Sequence, residues 1–379
     1  MKELKDGDIE LLDEDILDEG DSDEEEYEQH NFQYDPEKIN IVTREPTIEQ
    51  LIRRIKEDAL DLAPDFQRQA DIWNDDVKSR LIESILIRIP LPAFYIDATN
   101  EDEDQWLVVD GLQRLSALKH FVSDKRLKLC GLEYLKELEG KTYEQLERRY
   151  QRRIEETQVT VYLIEKGTPP EVKYNIFKRI NTGGSPLSPQ ELRHALNPGK
   201  ATKLLAKLAN CQEFQKVIKL SDSKKKRMDD REFILGFLAF SLTSYEYYQD
   251  GNRDFFLNQA LVKGNKLSQE EIDSIENNFK RATMAANEVF GQNAFRKVSH
   301  KRPRKYPINK ALFETWLVSI SQLSSEKLQV LKDHKENLID KFISYVDNDK
   351  EFLASISQAA NKVRYRFKTI EKIIQEVLS

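Results

Sequence analysis

An α+β fold is predicted by the uneven distribution of strand-like and helical patterns along the 379-residue sequence. Short apolar segments that resemble strands occur only in the first half, where they alternate with amphipathic helices: Phe94–Ile96, Trp106–Val109 and Gln158–Ile164. From about Lys200 onward, every apolar pattern has the period of a helix. We therefore predict a small α/β unit followed by an all-helical unit.

Local signals predict where several helices begin and end. Thr47 and Ser188 each open a capping box, and Ser188 is followed by a proline in the first turn. Asn74 opens another helix, which Pro90 ends. Its apolar residues at helical spacing are predicted to face inward: Val77, Leu81, Ile85 and Ile89.

Alternation identifies the last strand of the α/β unit. In Gln158–Ile164 the apolar residues Val159, Val161 and Leu163 are separated by two positions each. Successive side chains of a strand point to opposite faces, so these three should share one buried face.

Charge divides the chain into an acidic tail and a mildly basic body. Residues 1–30 contain 15 Asp and Glu against two Lys, a net charge of −13, so the other 349 residues carry about +5 of the total of −8. We predict a disordered tail over residues 1–35, an α/β domain over 36–197 and a helical domain over 198–379. The tail either increases solubility or occupies a basic groove as a nucleic-acid mimic.

Composition excludes several classes of protein. Two cysteines cannot form a disulfide framework or, alone, a zinc site. The longest apolar run, Phe233–Phe240, is too short to cross a bilayer, so no membrane association is expected. The acidic N-terminus does not resemble a secretory signal. The sequence therefore predicts a cytoplasmic protein.

The segment Trp106–Leu118 carries the clearest chemical motif. A buried strand ends at Asp110-Gly111, and a helix follows at once. The N–H groups at a helix N-terminus suit a phosphate, and Gly111 would let the phosphate approach the backbone. Arg114 could bind phosphate oxygens, Gln113 could position water, and Asp110 could hold Mg²⁺. Alternatively, Asp110 only caps the helix and Arg114 is a solvated charge.

Two loops could contribute to the same site. Gln67 and Arg68 lie between two predicted helices, where polar groups are often functional, although Arg68 could also be an ordinary surface charge. The loop that contains Asn181, Gly183 and Gly184 could form an anion-binding nest of backbone amides. A plain helix end explains these glycines equally well.

Five segments in order resemble one known family: DFQRQADIW, LIESILIRIPLPAFYI, WLVVDGLQRLSAL, IFKRINTGGSPLSPQELRHAL and RMDDREFILGFLAF. Together they are similar to the N-terminal domain of GmrSD-type modification-dependent restriction enzymes, within the ParB/sulfiredoxin-like superfamily. The resemblance runs from about Ile41 to Leu317. It implies a small ParB/sulfiredoxin-like core and a nucleoside triphosphate cofactor with Mg²⁺.

The resemblance also assigns roles to residues. It implies nucleotide binding and hydrolysis at Asp110, Gly111, Gln113 and Arg114, and extends the site to the two loops. Family members often carry Gln where this chain has Leu112, so the resemblance supports nucleotide hydrolysis less directly than it supports nucleotide binding. The nuclease domain of HNH character that accompanies the family is not recognisable, because the five histidines are scattered: His30, His120, His194, His300 and His334. DNA cleavage would then belong to a separate subunit.

Two basic clusters could contact DNA backbone phosphates without reading sequence. The first consists of Lys224, Lys225, Lys226 and Arg227, and the second of Lys301, Arg302, Arg304 and Lys305. Solvated loops are the alternative interpretation.

We therefore predict a nucleoside triphosphatase subunit of a restriction-like, anti-phage defence system that acts on DNA. A nucleotide-gated binding module without turnover is the alternative. A third hypothesis is an interaction protein whose acidic tail inhibits a basic partner.

Overall fold

Five short strands form a mixed sheet in the first half of the described chain. The computed structural model describes residues 39–62, 73–98, 105–180, 187–251, 253–357 and 360–379. The strands are β1 (Ile41–Arg44), β2 (Leu60–Asp61), β3 (Phe94–Asp97), β4 (Trp106–Asp110) and β5 (Val161–Ile164). Their order in the sheet is β1-β5-β3-β4-β2. Pairs β1–β5 and β3–β4 are antiparallel, whereas β3–β5 and β2–β4 are parallel.

Helices cover both faces of this sheet. They are α1 (Ile48–Lys56), α2 (Asp75–Leu86), α3 (Leu112–Leu118), α4 (Arg148–Glu156), α5 (Pro170–Ile180) and α6 (Pro189–Leu196). Phe94, Ile96 and Val108 pack on one side with residues of α1 to α4. Val109 and Ile164 pack on the other side with α5 and α6. This division follows from the alternation of side chains along each strand.

Most of the predicted helix starts and strand faces are confirmed. Thr47 and Ser188 both form complete capping boxes, and Asn74 caps α2. The three alternating residues of the last strand, Val159, Val161 and Leu163, are all buried in the same core.

The predicted inner face of α2 is partly wrong. Val77 is 38% exposed and Ile89 is 51% exposed, while Ile82 and Leu86 are buried instead. The helix ends at Leu86, before Pro90, and Arg88 then adopts a positive φ of 66°. The chain therefore turns away from the core before it reaches Ile89.

Eleven helices follow the sheet in the described residues. They are α7 (Lys200–Ala209), α8 (Gln212–Val217), α9 (Asp222–Lys226), α10 (Asp229–Leu242), α11 (Arg253–Asn265), α12 (Gln269–Phe290), α13 (Lys310–Ser321), α14 (Ser325–Asp333), α15 (Lys335–Asn348), α16 (Lys350–Ser357) and α17 (Val363–Leu378). Helix α10 is the central one, because its residues 233–240 are buried on every side. The predicted α+β architecture is confirmed.

The predicted division of the chain gives names to its parts. We call residues 36–197 the sheet domain and 198–379 the helical domain; these boundaries remain predictions, as does the tail over residues 1–35. Residues 1–38 lie outside the described chain. None of the described helices is long and apolar enough to cross a membrane.

Buried charged side chains connect the two domains. Asp254 of α11 accepts hydrogen bonds from Lys178 (2.8 Å) and Tyr174 (3.2 Å) of α5, and it pairs with Arg193 of α6. Arg193 is 2% exposed and also lies 3.8 Å from Glu232 of α10. A buried charge is costly unless it is paired, so this contact holds α5 and α6 against the helical domain.

The chain of charges continues into the helical domain through Glu314 of α13. Arg253 donates two hydrogen bonds to Glu314 (3.1 and 2.9 Å), and Arg366 of α17 donates a third (2.9 Å). Gly236 makes room for this carboxylate, since a Cβ there would lie 2.6 Å from Glu314 Oε2. One carboxylate therefore compensates two buried guanidinium groups.

Glu314→Gln tests how much this cluster contributes. The amide keeps the shape of the side chain but leaves Arg253 and Arg366 without their carboxylate, so we expect a loss of about 3–5 kcal/mol in the free energy of unfolding in urea. The control Glu376→Gln removes a more exposed pair with Lys341 (2.9 Å) and should cost about 1 kcal/mol or less. Equal losses in the two variants would contradict this ranking.

The same cluster predicts how stability depends on pH. Burial opposes ionisation of Glu232, but the charges of Lys310 and Arg193 outweigh burial and lower its pKa to about 2. Arg193 and Lys178 likewise lower the pKa of Asp254, whose side chain is 31% exposed, to about 2. Both carboxylates therefore stabilise the fold above their ordinary pKa values, and this contribution is lost as the pH falls toward 2.

Glu232→Gln should make the free energy of unfolding depend less on pH in the acidic range. We expect the dependence of unfolding free energy on pH between about 5 and 2 to decrease by on the order of 3 kcal/mol. Urea unfolding at a series of pH values measures this quantity. An unchanged pH dependence would show that Glu232 does not ionise differently in the folded protein.

Candidate functional site

The predicted motif forms a tight strand-to-helix turn. Strand β4 ends at Asp110, and Gly111 is the N-cap of α3 with φ +97° and ψ 9°. A Cβ at Gly111 would lie 2.3 Å from Cδ1 of Phe94, which is fully buried below the turn. Only glycine fits both this left-handed backbone and this contact. The turn therefore presents bare backbone at the end of the strand.

Arg114 closes the turn from one side. Its guanidinium donates hydrogen bonds to the Pro92 and Ala93 carbonyls (3.1 Å to Ala93) and to Asp110 Oδ2 (2.9 Å). The guanidinium carbon lies 4.5 Å from the centre of the Phe94 ring, and the side chain is 11% exposed. Burial lowers the pKa of Arg114, while the Asp110 carboxylate opposes that shift.

These contacts exclude the simpler interpretation of the motif. Gly111, not Asp110, is the N-cap, and the cap forms no side-chain hydrogen bond. Arg114 is a largely buried, hydrogen-bonded group and not a solvated charge. The Asp110 carboxylate is 37% exposed, so it can be reached from solvent beside the turn. Gln113 lies in the first turn of α3 and is partly exposed.

Two aromatic residues next to the turn were missed by sequence reasoning. Tyr95 pairs with Asp110 across a bulge in the β3–β4 ladder, and its ring stacks on Tyr162 of β5 with 5.0 Å between centroids. Burial, Tyr162 and the negative charge of Asp110 raise the pKa of Tyr95. Only the strand register reveals this pair, because the two tyrosines are 67 positions apart.

A comparison with known protein families gives a match over this region. Residues 48–197 match the family model described as GmrSD restriction endonuclease, N-terminal domain. This segment is similar to the GmrSD N-terminal domain. The predicted resemblance is confirmed, and the match indicates a protein of restriction-type defence. No curated protein and no solved structure gives a significant match to the chain.

The two loops predicted to complete the site of the GmrSD N-terminal domain lie outside the described residues. They contain Gln67, Arg68, Asn181, Gly183 and Gly184. The chain that follows the second loop can still be placed. Leu187 and Leu112 pack against the same pair of residues, Ala195 and Met228. Leu187, the first described residue after that loop, therefore lies in the same apolar cluster as Leu112, the first residue of α3.

The basic clusters lie at the surface, whereas two of the predicted histidines are buried. Lys224, Lys225 and Lys226 are exposed on α9, and the second cluster is exposed in the loop before α13. His120 and His194 are 6% and 3% exposed, as expected for packing residues. Within the described chain, no group of three or more His, Cys, Asp or Glu side chains could hold a metal ion.

Gly111→Ala tests whether the turn depends on glycine. Gly167→Ala is a matched control, because Gly167 has nearly the same φ (+99°) and a Cβ there would have no neighbour within 4 Å. Each alanine should cost on the order of 1–2 kcal/mol for the left-handed backbone, and Gly111→Ala should cost at least about 1 kcal/mol more through its clash with Phe94. Urea unfolding of both variants measures this difference, and equal costs would contradict the proposed contact.

Proposed function

We propose that the GmrSD N-terminal domain of this chain binds a nucleoside triphosphate at the Asp110–Arg114 turn and acts as a nucleotide-hydrolysing subunit in defence against foreign DNA. The observation that carries the proposal is the bare turn at Gly111, at the start of a helix and beside a reachable carboxylate. The family match supports the restriction-type context.

The chemistry of the turn suits a phosphate chain. The first N–H groups of a helix have no partners within the helix and carry partial positive charge. Gly111 removes the side chain that would keep a phosphate from these groups. Arg114 adds a positive charge, which its ion pair with Asp110 partly offsets, and its bonds to Pro92 and Ala93 hold the turn in shape. The protein thus offers an organised anion site before any ligand arrives.

Asp110 suits a magnesium ion carried with the nucleotide. Mg²⁺ in nucleotide sites usually takes one or two protein carboxylates together with phosphate oxygens and water, and Asp110 supplies one exposed carboxylate. The ion would offset phosphate charge when bound. In this proposal Gln113, one residue before Arg114 in the first turn, orients a water molecule for attack on the terminal phosphate.

One observation favours the alternative of a binding module without turnover. Leu112, where the family often has Gln, packs into an apolar cluster with Ala195 and Met228. That side chain therefore makes no polar contact to a phosphate or water. Nucleotide bound at such a site could act as a signal that shifts the protein between two states.

Arg114→Ala and Asp110→Asn test the proposed site. We expect each to weaken binding of ATP or GTP by roughly ten- to hundredfold, the equivalent of about 1–3 kcal/mol for a charged hydrogen bond. Filter binding with labelled nucleotide and Mg²⁺ measures the affinity. The control Arg149→Ala removes an exposed arginine of α4 (69% exposed) and should bind normally.

Two further measurements make this test decisive. Thermal unfolding identifies any variant that loses binding only because it is unfolded, and Asp110→Asn is the milder change in this respect. Phosphate release under multiple-turnover conditions separates hydrolysis from binding alone. Unchanged affinity in both folded site variants would overturn the proposed site.

A further inference from the structure

The helical domain places two distant basic segments at the same end. Helices α10 and α13 are parallel neighbours in register: Lys310 Nζ lies 2.9 Å from Glu232 Oε2, and one turn later Gly236 contacts Glu314. Their N-termini therefore lie side by side. Each N-terminus is preceded by a basic segment, α9 with Arg227 in one case and the loop 297–307 in the other.

The first basic segment is anchored to the sheet domain. Arg227 pairs with Glu191 of α6 (3.2 Å), and the Ser188 hydroxyl donates to the Arg227 carbonyl (2.8 Å). Met228 then turns the chain into α10 with a positive φ of 61°. This anchoring leaves the side chains of residues 224–226 exposed.

The second basic segment is a loop with a fixed shape. A bridge between Arg296 and Ile308 closes its base. Near its tip, the Ser299 hydroxyl and the His300 N–H (3.0 Å) donate to Asp347 of α15. Arg302, Arg304 and Lys305 remain exposed. The loop therefore presents its cations on a rigid base.

We propose that these two segments form one surface that binds the phosphate backbone of duplex DNA, across the N-terminal ends of α10 and α13. We call it the basic surface: residues 224–227 together with 301, 302, 304 and 305. Packed helices lie about 8–10 Å apart, so the surface is broad enough to contact more than one phosphate. The inference rests on the proposed function for its biological role, but not for binding itself.

The surroundings favour a nucleic acid over a protein partner. Protein interfaces are anchored by large apolar side chains in their centres. None of the large hydrophobic side chains that are exposed in the described chain belongs to either basic segment: they are Ile41, Val77, Ile89, Tyr134, Tyr247, Met284, Val330 and Leu353. A surface of cations without such anchors fits a polyanion.

Duplex DNA is favoured over a single strand by the same surface. Single-strand sites stack bases on exposed aromatic rings. The aromatic residue of the second segment, Tyr306, is covered by the guanidinium of Arg304 at 4.6 Å.

Two carboxylates also lie at the base of the surface, Asp229 and Asp230, and burial raises the pKa of both. They reduce the local positive charge, and binding should depend on salt through the phosphates that the lysines and arginines neutralise.

Charge reversal in each segment tests the proposal with the full chain. The two variants are Lys224→Glu/Lys225→Glu/Lys226→Glu and Arg302→Glu/Arg304→Glu. The control Arg149→Glu/Arg152→Glu reverses two exposed charges on α4, on the other side of the sheet (69% and 61% exposed). The probe is a fluorescent 30-base-pair duplex of random sequence, without nucleotide, at several salt concentrations.

We expect each surface variant to lower affinity by at least about tenfold and to flatten the slope of log affinity against log salt, while the control binds normally. Normal DNA affinity in either surface variant would overturn the proposal that the two segments form one binding surface. An equal loss of DNA affinity in the control would show that the loss reflects the net charge of the protein and not this surface. Tighter binding of single-stranded DNA or of RNA would overturn the assignment to duplex DNA.

Nucleotide binding by the same variants separates this proposal from the proposed function. The basic-surface variants should bind labelled nucleotide normally, and Asp110→Asn should bind DNA normally. If nucleotide binding is absent in the unaltered chain but the DNA results hold, only the proposed function fails. If nucleotide binds and the surface variants bind DNA normally, only the basic surface fails.

Discussion

Two carboxylates, each held between two cations, fix the helical domain against the sheet domain. Asp254 lies between Lys178 and Arg193, and Glu232 between Arg193 and Lys310. Glu314 lies between Arg253 and Arg366 in the same way, but inside the helical domain. Hydrophobic contact alone would tolerate many orientations of two packed surfaces. Buried ions tolerate few, because a displaced partner leaves an uncompensated charge.

That fixed orientation determines what lies beside the Asp110–Arg114 turn. With α5 and α6 held by Asp254, Leu187 comes to rest in the same apolar cluster as Leu112. Met228, at the start of α10, completes this cluster. The turn is therefore bordered by both domains, although its own residues all come from the sheet domain. A movement of the turn would therefore also displace the residue of the helical domain that packs in this cluster, Met228.

The sequence predicts features that depend on neighbours along the chain. The capping boxes at Thr47 and Ser188 and the alternation in β5 are local, and all are confirmed. The face of α2 was partly wrong, since burial of Val77 and Ile89 depends on where the helix meets the core. Periodicity gives the spacing of a buried face but not its exact angle or its last turn.

Features made by distant residues could not be predicted. The Tyr95–Tyr162 stack requires the register of β3 on β5 and the bulge opposite Asp110. The ion pair between Arg193 and Asp254 joins two residues that are 61 positions apart. The sequence contains many other charged residues, and nothing in it singles out these two as partners. Even at the predicted turn, the hydrogen bonds from Arg114 to the carbonyls of Pro92 and Ala93 could not be predicted from the sequence.

The proposed nucleotide site and the basic surface meet at two contacts. Leu112 of the turn packs with Met228, which joins α9 to α10, and Arg227 pairs with Glu191 of α6. If a nucleotide moves the first turn of α3, Leu112 must repack against Met228, and the lysines of α9 move with it. Coupling of this kind is reciprocal, so DNA on α9 would change nucleotide affinity by the same factor. The geometry allows such coupling without any hinge between the domains, since one apolar cluster and one ion pair already connect the two surfaces.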